Sequence, residues 1–179
     1  MGIPTLISTT TASGADAINI TSGITSAYDE YMFVYTDINP SSGGHWSFQC
    51  STDGGSNYNT TLTSTLFLAY HDEADSATTL AYNPSHDEAQ STDPQSLNVG
   101  TGAESDESAA GILHLFSPAS TTYVKHFYAR TQTYQDNDYA TDGFAAGYFN
   151  TTSAIDAIQF AFQHDAQAFD GVVQMYGIS

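Results

Sequence analysis

Residues 38–59 read INPSSGGHWSFQCSTDGGSNYN, and this stretch decides the fold class. In its middle, Trp46, Phe48 and Cys50 alternate onto one face of an extended run from His45 to Cys50. Its two flanks, INPSSGGHW and STDGGSNYN, carry Asn-Pro, Gly-Gly and Asp-Gly pairs. Such residues tolerate a positive φ or preset φ for a turn, so both flanks read as hairpin tips.

The same grammar runs from end to end. Apolar residues recur with period two over short runs broken by Gly, Asn, Asp, Ser and Pro, and helical stripes are nearly absent. The predicted strands are Thr5–Thr9, Ala15–Ile20, Tyr31–Asp37, His45–Cys50, Thr61–Tyr70, Thr78–Tyr82, Gly111–Phe116, Thr122–Thr131, Gly143–Phe149, Ala154–Phe162 and Val172–Ile178. One segment is ambiguous: in TSAIDAIQFAF, Ile155, Ile158 and Phe162 also fit helical spacing. Its β-branched and aromatic content, after the Gly-rich GFAAGYFN, favours a strand. Many short strands without intervening amphipathic helices predict an all-β, antiparallel β-sandwich of jelly-roll type. A length of 179 residues fits a single domain, 1–179. Within it, residues 91–110 are expected to form a polar surface loop and residues 1–12 an arm that contacts a partner.

Charge narrows the function. The chain holds 20 Asp and Glu against 2 Lys and Arg, a formal net charge of −18. Two cations cannot displace the counterions of nucleic acid, nor hold an anionic membrane surface, so neither is an expected partner. A surface this acidic repels itself until salt screens it, which suits a saline setting. Cys50 is the single cysteine, so no internal disulfide and no Cys-based metal cluster can form, and its alternating setting reads as a small buried hydrophobe. The segment MGIPTLISTTTASG lacks the basic start and apolar run of a secretory signal. Asn19, Asn59 and Asn150 open Asn-X-Thr triplets that read as turn chemistry.

The chemistry-bearing motifs are weak. His-Asp-Glu-Ala occurs twice, at 71–74 and 86–89. Neither copy has a second His at the i+4 offset of a zincin, and the spaced acids and glycine of an EF-hand loop are missing, so both read as acidic loop tips at strand ends. The loop TYQDNDYATDGF brings Asp136, Asp138 and Asp142 near Gly143. It offers either a Ca²⁺ site or a solvated turn, and no other cofactor is expected. Pairs of carboxylates for glycoside hydrolysis are unavoidable among twenty acids and select nothing. No Gly-X-Ser-X-Gly elbow or phosphate loop is present, so the chain is not expected to be an enzyme. In TTYVKHFYAR, alternation puts Lys125, Phe127 and Ala129 on one face and Val124, His126, Tyr128 and Arg130 on the other. With so many acids competing for them, Lys125 and Arg130 are expected in ion pairs, within the protomer or with a neighbour. Twelve Tyr supply contact area of the kind that recognition surfaces and oligomer interfaces use.

Several blocks resemble a group of small, mostly uncharacterised proteins encoded by tailed bacteriophages of marine bacteria. They are LISTTTAS (6–13), YDEYMFVYTDINP (28–40), FQCSTDGGSNYN (48–59), AYHDEA (69–74), LHLFSPASTTYVKHF (113–127), AGYFNTTSAIDAIQF (146–160) and the closing YGI. The resemblance spans nearly the whole chain and carries no active site. It implies an all-β structural component of the virion, with other capsid or tail proteins as partners and a homo-oligomeric state, a trimer being favoured. Within that group the chain is expected to be a capsid decoration protein. It lacks the coiled-coil stem or collagen-like repeat of a fibre. The alternatives are a tail-fibre or tail-tip module that binds a host receptor, and a carbohydrate-binding jelly roll outside any virus. For decoration, Ile3, Pro4, Thr5, Leu6 and Ile7 are the expected contacts, adding a strand to a neighbour through backbone hydrogen bonds.

Overall fold

The computed structural model describes residues 2–163 and 167–179, and every regular element among them is a β-strand. The first half holds β1 (Thr5–Ala15), β2 (Ile18–Ile20), β3 (Glu30–Pro40) and β4 (His45–Ser51), followed by β5 (Leu62–Asp72), β6 (Thr78–Tyr82) and β7 (Ala89–Ser91). The second half holds β8 (Gln95–Ser96), β9 (Ala109–Phe116), β10 (Lys125–Gln135), β11 (Tyr139–Phe149), β12 (Ala157–Gln163) and β13 (Phe169–Ile178). They form two antiparallel sheets. The larger has the order β1-β13-β3-β9-β10-β11-β5-β6, with β7 also on β5, and the smaller has the order β2-β12-β4-β8.

The pairing is nested: β1 lies on β13, β2 on β12, β3 on β9 and β4 on β8. The first half of the chain is thus matched to the second half run backwards, as one long hairpin rolled into two layers. This is the jelly roll that the strand grammar predicts. Two insertions widen it. β5 to β7 enter at the tip of the rolled hairpin, β10 and β11 enter between β9 and β12, and both sets extend the large sheet where β11 pairs with β5.

Alternation drives the layering. On β10, Lys125, Phe127, Ala129, Thr131 and Thr133 are buried while His126, Tyr128, Arg130 and Gln132 are exposed. Within the small sheet the Trp46 ring stacks on Phe160 at 5.7 Å; across to the large sheet it meets Phe169 edge-on at 5.0 Å, and Phe48 packs edge-on against Phe127 at 5.1 Å. Each such fully buried side chain contributes roughly 1.5–3 kcal/mol. The Tyr35 hydroxyl reaches Thr131 Oγ1 inside this core, and burial pushes its pKa up.

Several expected boundaries move for identifiable reasons. The predicted strand Ala15–Ile20 is split. The β1·β13 register shifts between Ala12 and Ala15, Gly14 turns at φ 62°, and its N–H bonds Asp170 Oδ1 at 2.8 Å, so Ile18–Ile20 crosses to the small sheet. Residues 122–124 are not strand, because Ser120 Oγ accepts the N–H groups of Thr122 and Tyr123 in a turn. The ambiguous 152–162 segment is a strand from Ala157, paired on both sides.

The expected surface loop 91–110 is corrected. Gln95, Ser96, Leu97, Asn98 and Thr101 are buried, and Leu97 N–H donates to Trp46 O at 2.7 Å. Asn98 Oδ1 accepts from Trp46 N–H at 2.9 Å, and its Nδ2 donates to Thr101 Oγ1 at 2.7 Å and Thr133 Oγ1 at 3.2 Å. A polar segment closes the sandwich here because the Asn98 amide and the Leu97 N–H find hydrogen-bond partners inside it.

The segment 1–12, expected to contact a partner, is not a separate arm in this protomer. Thr5 to Ala12 are part of an 11-residue edge strand already paired to β13, with Ala12 in the core.

Candidate functional site

Two of the acids singled out in the sequence, Asp138 and Asp142, are taken up by local partners. Asp142 sits on β11, where Arg130 Nε reaches both carboxylate oxygens at 3.1 Å and Nη2 reaches Oδ2 at 2.7 Å. Asp138 accepts the Tyr134 hydroxyl at 2.9 Å, and that bond helps raise the Tyr134 pKa to about 12. Asp136 belongs to the β10–β11 turn, in which Asn137 and Asp138 both take positive φ. Among the described residues, no group of three or more His, Cys, Asp or Glu side chains is arranged to hold a metal ion.

Both copies of His-Asp-Glu-Ala lie at turns, but the first is more than a solvated tip. Asp72 is buried at the end of β5, accepts the N–H groups of Ser76 and Ala77 at 2.8 Å each, and also takes the Ser76 hydroxyl. These bonds hold its carboxyl below the usual range. Its neighbour His71 reaches Asp75 at 3.1 Å. In the second copy, Asp87 takes the Tyr82 hydroxyl, and the His86 ring lies 4.3 Å from that of His45.

The two cations are used inside the protomer. Arg130 makes the expected ion pair, with Asp142, and its guanidinium lies 5.1 Å from the Phe144 ring centroid. Lys125 makes none with a described residue. It is 0% exposed, and Nζ donates to two backbone carbonyls, Tyr123 O at 3.0 Å and Thr151 O at 3.2 Å. Alternation forces this, because Lys125 shares the inward register with Phe127 and Ala129, away from the acids at the surface. Burial lowers its pKa.

Three surface features remain. The first is β1, at the edge of the large sheet, with no strand paired on its outer side among the described residues. The segment from Gly2 through β1 to Ala15 carries no charged side chain; Ile3, just before the strand, is 86% exposed, and Leu6 on it is exposed too. The second is the outer face of that sheet. Register sets Val34, Ile112, Arg130, Phe144, Phe67 and Tyr82 in one row across six strands. The Phe67 and Phe144 rings stack at 4.8 Å, and in the adjacent row His114 stacks on Tyr128 at 4.7 Å.

The third is an open cavity of about 490 Å³ at the end of that face, lined by Phe116, Tyr123 and His126 and by the hydroxyl residues Ser117, Thr122 and Thr152. Sequence reasoning missed it, because its walls come from positions 116–126 and 152, joined only by the β10–β11 insertion. The outward aromatic rows had a readable signal: strand positions that alternate away from the core are filled by Ile112, Phe67 and Tyr128 in place of polar residues.

Fold and surface together define a jelly-roll β-sandwich with broad surfaces for contact. No protein family matches the chain, and no curated protein matches it. A solved structure of a protein of unknown function from Bacteroides ovatus is similar over 56% of this chain and 44% of that one, at 9% identity and a TM-score of 0.31. This chain therefore spans less than half of that protein, and a likeness at this level carries no argument. No helix among the described residues is long and apolar enough to cross a membrane.

Proposed function

We propose that the chain is a non-enzymatic structural component of a tailed-phage virion and serves as a capsid decoration protein, a homo-oligomer that binds the assembled shell. The virion setting is supported by the sequence blocks from Leu6 to the closing Tyr-Gly-Ile. The observation that carries the docking role is the uncharged edge of β1, unpaired among the described residues, on a chain of net charge −18. Natural sheets blunt their edges with charge, proline or bulges; this 11-residue strand has neither charge nor proline, and its register shifts fall between Leu6 and Ser8 and between Ala12 and Ala15, leaving Thr9 to Thr11 regular. A neighbouring strand would gain backbone hydrogen bonds there. A protein that binds only the assembled shell adds its binding free energy to the stability of the particle.

Thr9 and Thr11 are exposed on β1. The double variant Thr9→Lys/Thr11→Lys should keep the fold, checked by its thermal midpoint, and lose attachment to particles that lack the protein. Undiminished attachment removes β1 from the mechanism. Imaging of particles with and without the chain tests the role itself: density missing from the tail, with an intact shell, rules out decoration.

The cavity beside Tyr123 favours a second reading, a tail-tip module that binds a host-surface receptor. The same imaging separates the two.

A further inference from the structure

The cavity at the end of the large sheet stands on a framework that the docking role does not require. The loop from Ser117 to Val124 is held at each turn: Ser117 N–H donates to Asp29 O at 2.6 Å, Ser120 N–H to Ser117 O at 3.0 Å, and Ile155 N–H to Pro118 O at 2.9 Å. Lys125 then ties this loop to the facing one through the carbonyls of Tyr123 and Thr151. Burying an ammonium group is costly, and here the charge is used to fix two loops at a set separation. Ser117 is held at φ 45°, in the left-handed region that a serine rarely occupies. Above this frame the Tyr123 ring stands 71% exposed. The backbone that carries this aromatic is fixed before any ligand arrives, which lowers the ordering cost of binding.

The lining selects the ligand. None of the lining residues carries a fixed charge. The net charge of −18 repels anions, and no carboxylate is present to receive a cation. What fits is neutral. Phe116 and Tyr123 offer flat apolar faces, while Ser117, Thr122, Thr152 and His126 offer donors and acceptors around them. An apolar side chain from a protein partner would use the rings and leave those polar groups facing it unsatisfied. A pyranose satisfies both, with its C–H face on the rings and its hydroxyls at the rim, and the cavity volume falls in the range of small-molecule sites. We infer that this cavity is a binding site for neutral oligosaccharides, with Tyr123 as the stacking platform. The inference does not depend on β1 docking, because it concerns the isolated chain in solution.

The test is calorimetric titration of the full chain with maltohexaose, cellohexaose and chitohexaose, with sialyllactose as an anionic comparison. At least one neutral hexamer should bind with a Kd of about 1 mM or tighter. Tyr123→Ala should weaken it about ten-fold, the scale of one aromatic contact. Thr152→Val, which removes a hydroxyl at constant shape, should weaken it several-fold, and Leu80→Ala, 75% exposed on β6, should leave it unchanged. Tyr123 lies on an exposed loop, so circular dichroism should be the same for all the variants. The inference is overturned if no neutral hexamer binds at roughly 10 mM, if Tyr123→Ala binds like the parent, if sialyllactose binds as well as the neutral sugars, or if a Trp- or Phe-bearing peptide displaces the sugar. Sugar binding without attachment to particles would sink the docking reading alone.

Discussion

Asn98→Ala should cost about 3 kcal/mol of stability, although its position in a polar stretch suggests an exposed loop. Asn98 is 0% exposed and makes three hydrogen bonds, to Trp46 N–H, Thr101 Oγ1 and Thr133 Oγ1. Truncation leaves the Trp46 N–H without an acceptor in the core, which costs roughly 1–3 kcal/mol. The two threonine hydroxyls lose a donor to their oxygens while their own O–H groups stay able to donate, and add less. The vacated amide volume adds a cavity cost of about 1 kcal/mol. For 179 residues the unfolding entropy near the midpoint is about 0.38 kcal/mol/K, so 3 kcal/mol lowers Tm by about 8 °C. Thermal denaturation followed by circular dichroism reads this directly, with exposed Asn59→Ala as the control. A shift of less than about 2 °C would refute the reasoning and return residues 91–110 to the surface.

Gly147→Ala should destabilise by roughly 1–3 kcal/mol, read as a lower denaturant midpoint, because an added Cβ would lie 2.4 Å from Thr63 O and 2.9 Å from Phe127 Cζ. An unchanged midpoint would show that the backbone yields. The bonds that Asn57 and Ser51 donate lower the Asp53 pKa from 3.8 to about 2. Its folded pKa is below its unfolded one, so the stabilisation is present above about pH 4 and lost as the pH falls toward 2. NMR titration of Asp53 should shift toward the ordinary value in Asn57→Ala and stay put if the assignment is wrong. Cys50 is buried with its thiol pushed up in pKa, so a thiol reagent should label it only on unfolding. Prompt labelling of the native chain counts against the fold. Self-association should strengthen between 0.01 M and 0.15 M salt, as the Debye length falls from about 30 Å to about 8 Å. Sedimentation velocity showing the opposite trend would mean that the interface is held by charge.

The sheet grammar was legible because a period-two apolar pattern writes itself into most strands separately, although β4 turns out to be buried on both faces from Trp46 to Ser51. His45 to Cys50 and Lys125 to Thr131 show their inward faces from local sequence alone. Nesting was not legible. That β4 meets β8 depends on Leu97 and Asn98, a two-residue signature in a polar stretch, held by hydrogen bonds that reach Trp46 and Thr133. The fate of Lys125 shows the same limit. Its inward face follows from alternation, but the expected acid partner was replaced by carbonyls at 123 and 151, and the carbonyl at 151 belongs to the far end of a hairpin. The cavity lies beyond local reading for the same reason, since Phe116 and Thr152 become neighbours only after β10 and β11 fold back.

The charge distribution bears on both proposed surfaces. Of the two cations, one is enclosed and the other is neutralised by a bidentate acid, so neither offers an anionic partner a free anchor. A partner must therefore be held by apolar area, backbone hydrogen bonds or neutral polar contacts. The neutral edge of β1 and the uncharged lining of the Tyr123 cavity are places where this chain offers those without an acid to repel what arrives. Acidity elsewhere lowers the chance of unspecific association, because any contact that brings two acidic faces together adds like-charge repulsion. Selectivity would thus follow from where charge is missing: the surface repels by default, and β1 and the cavity lining add no acid of their own to that repulsion.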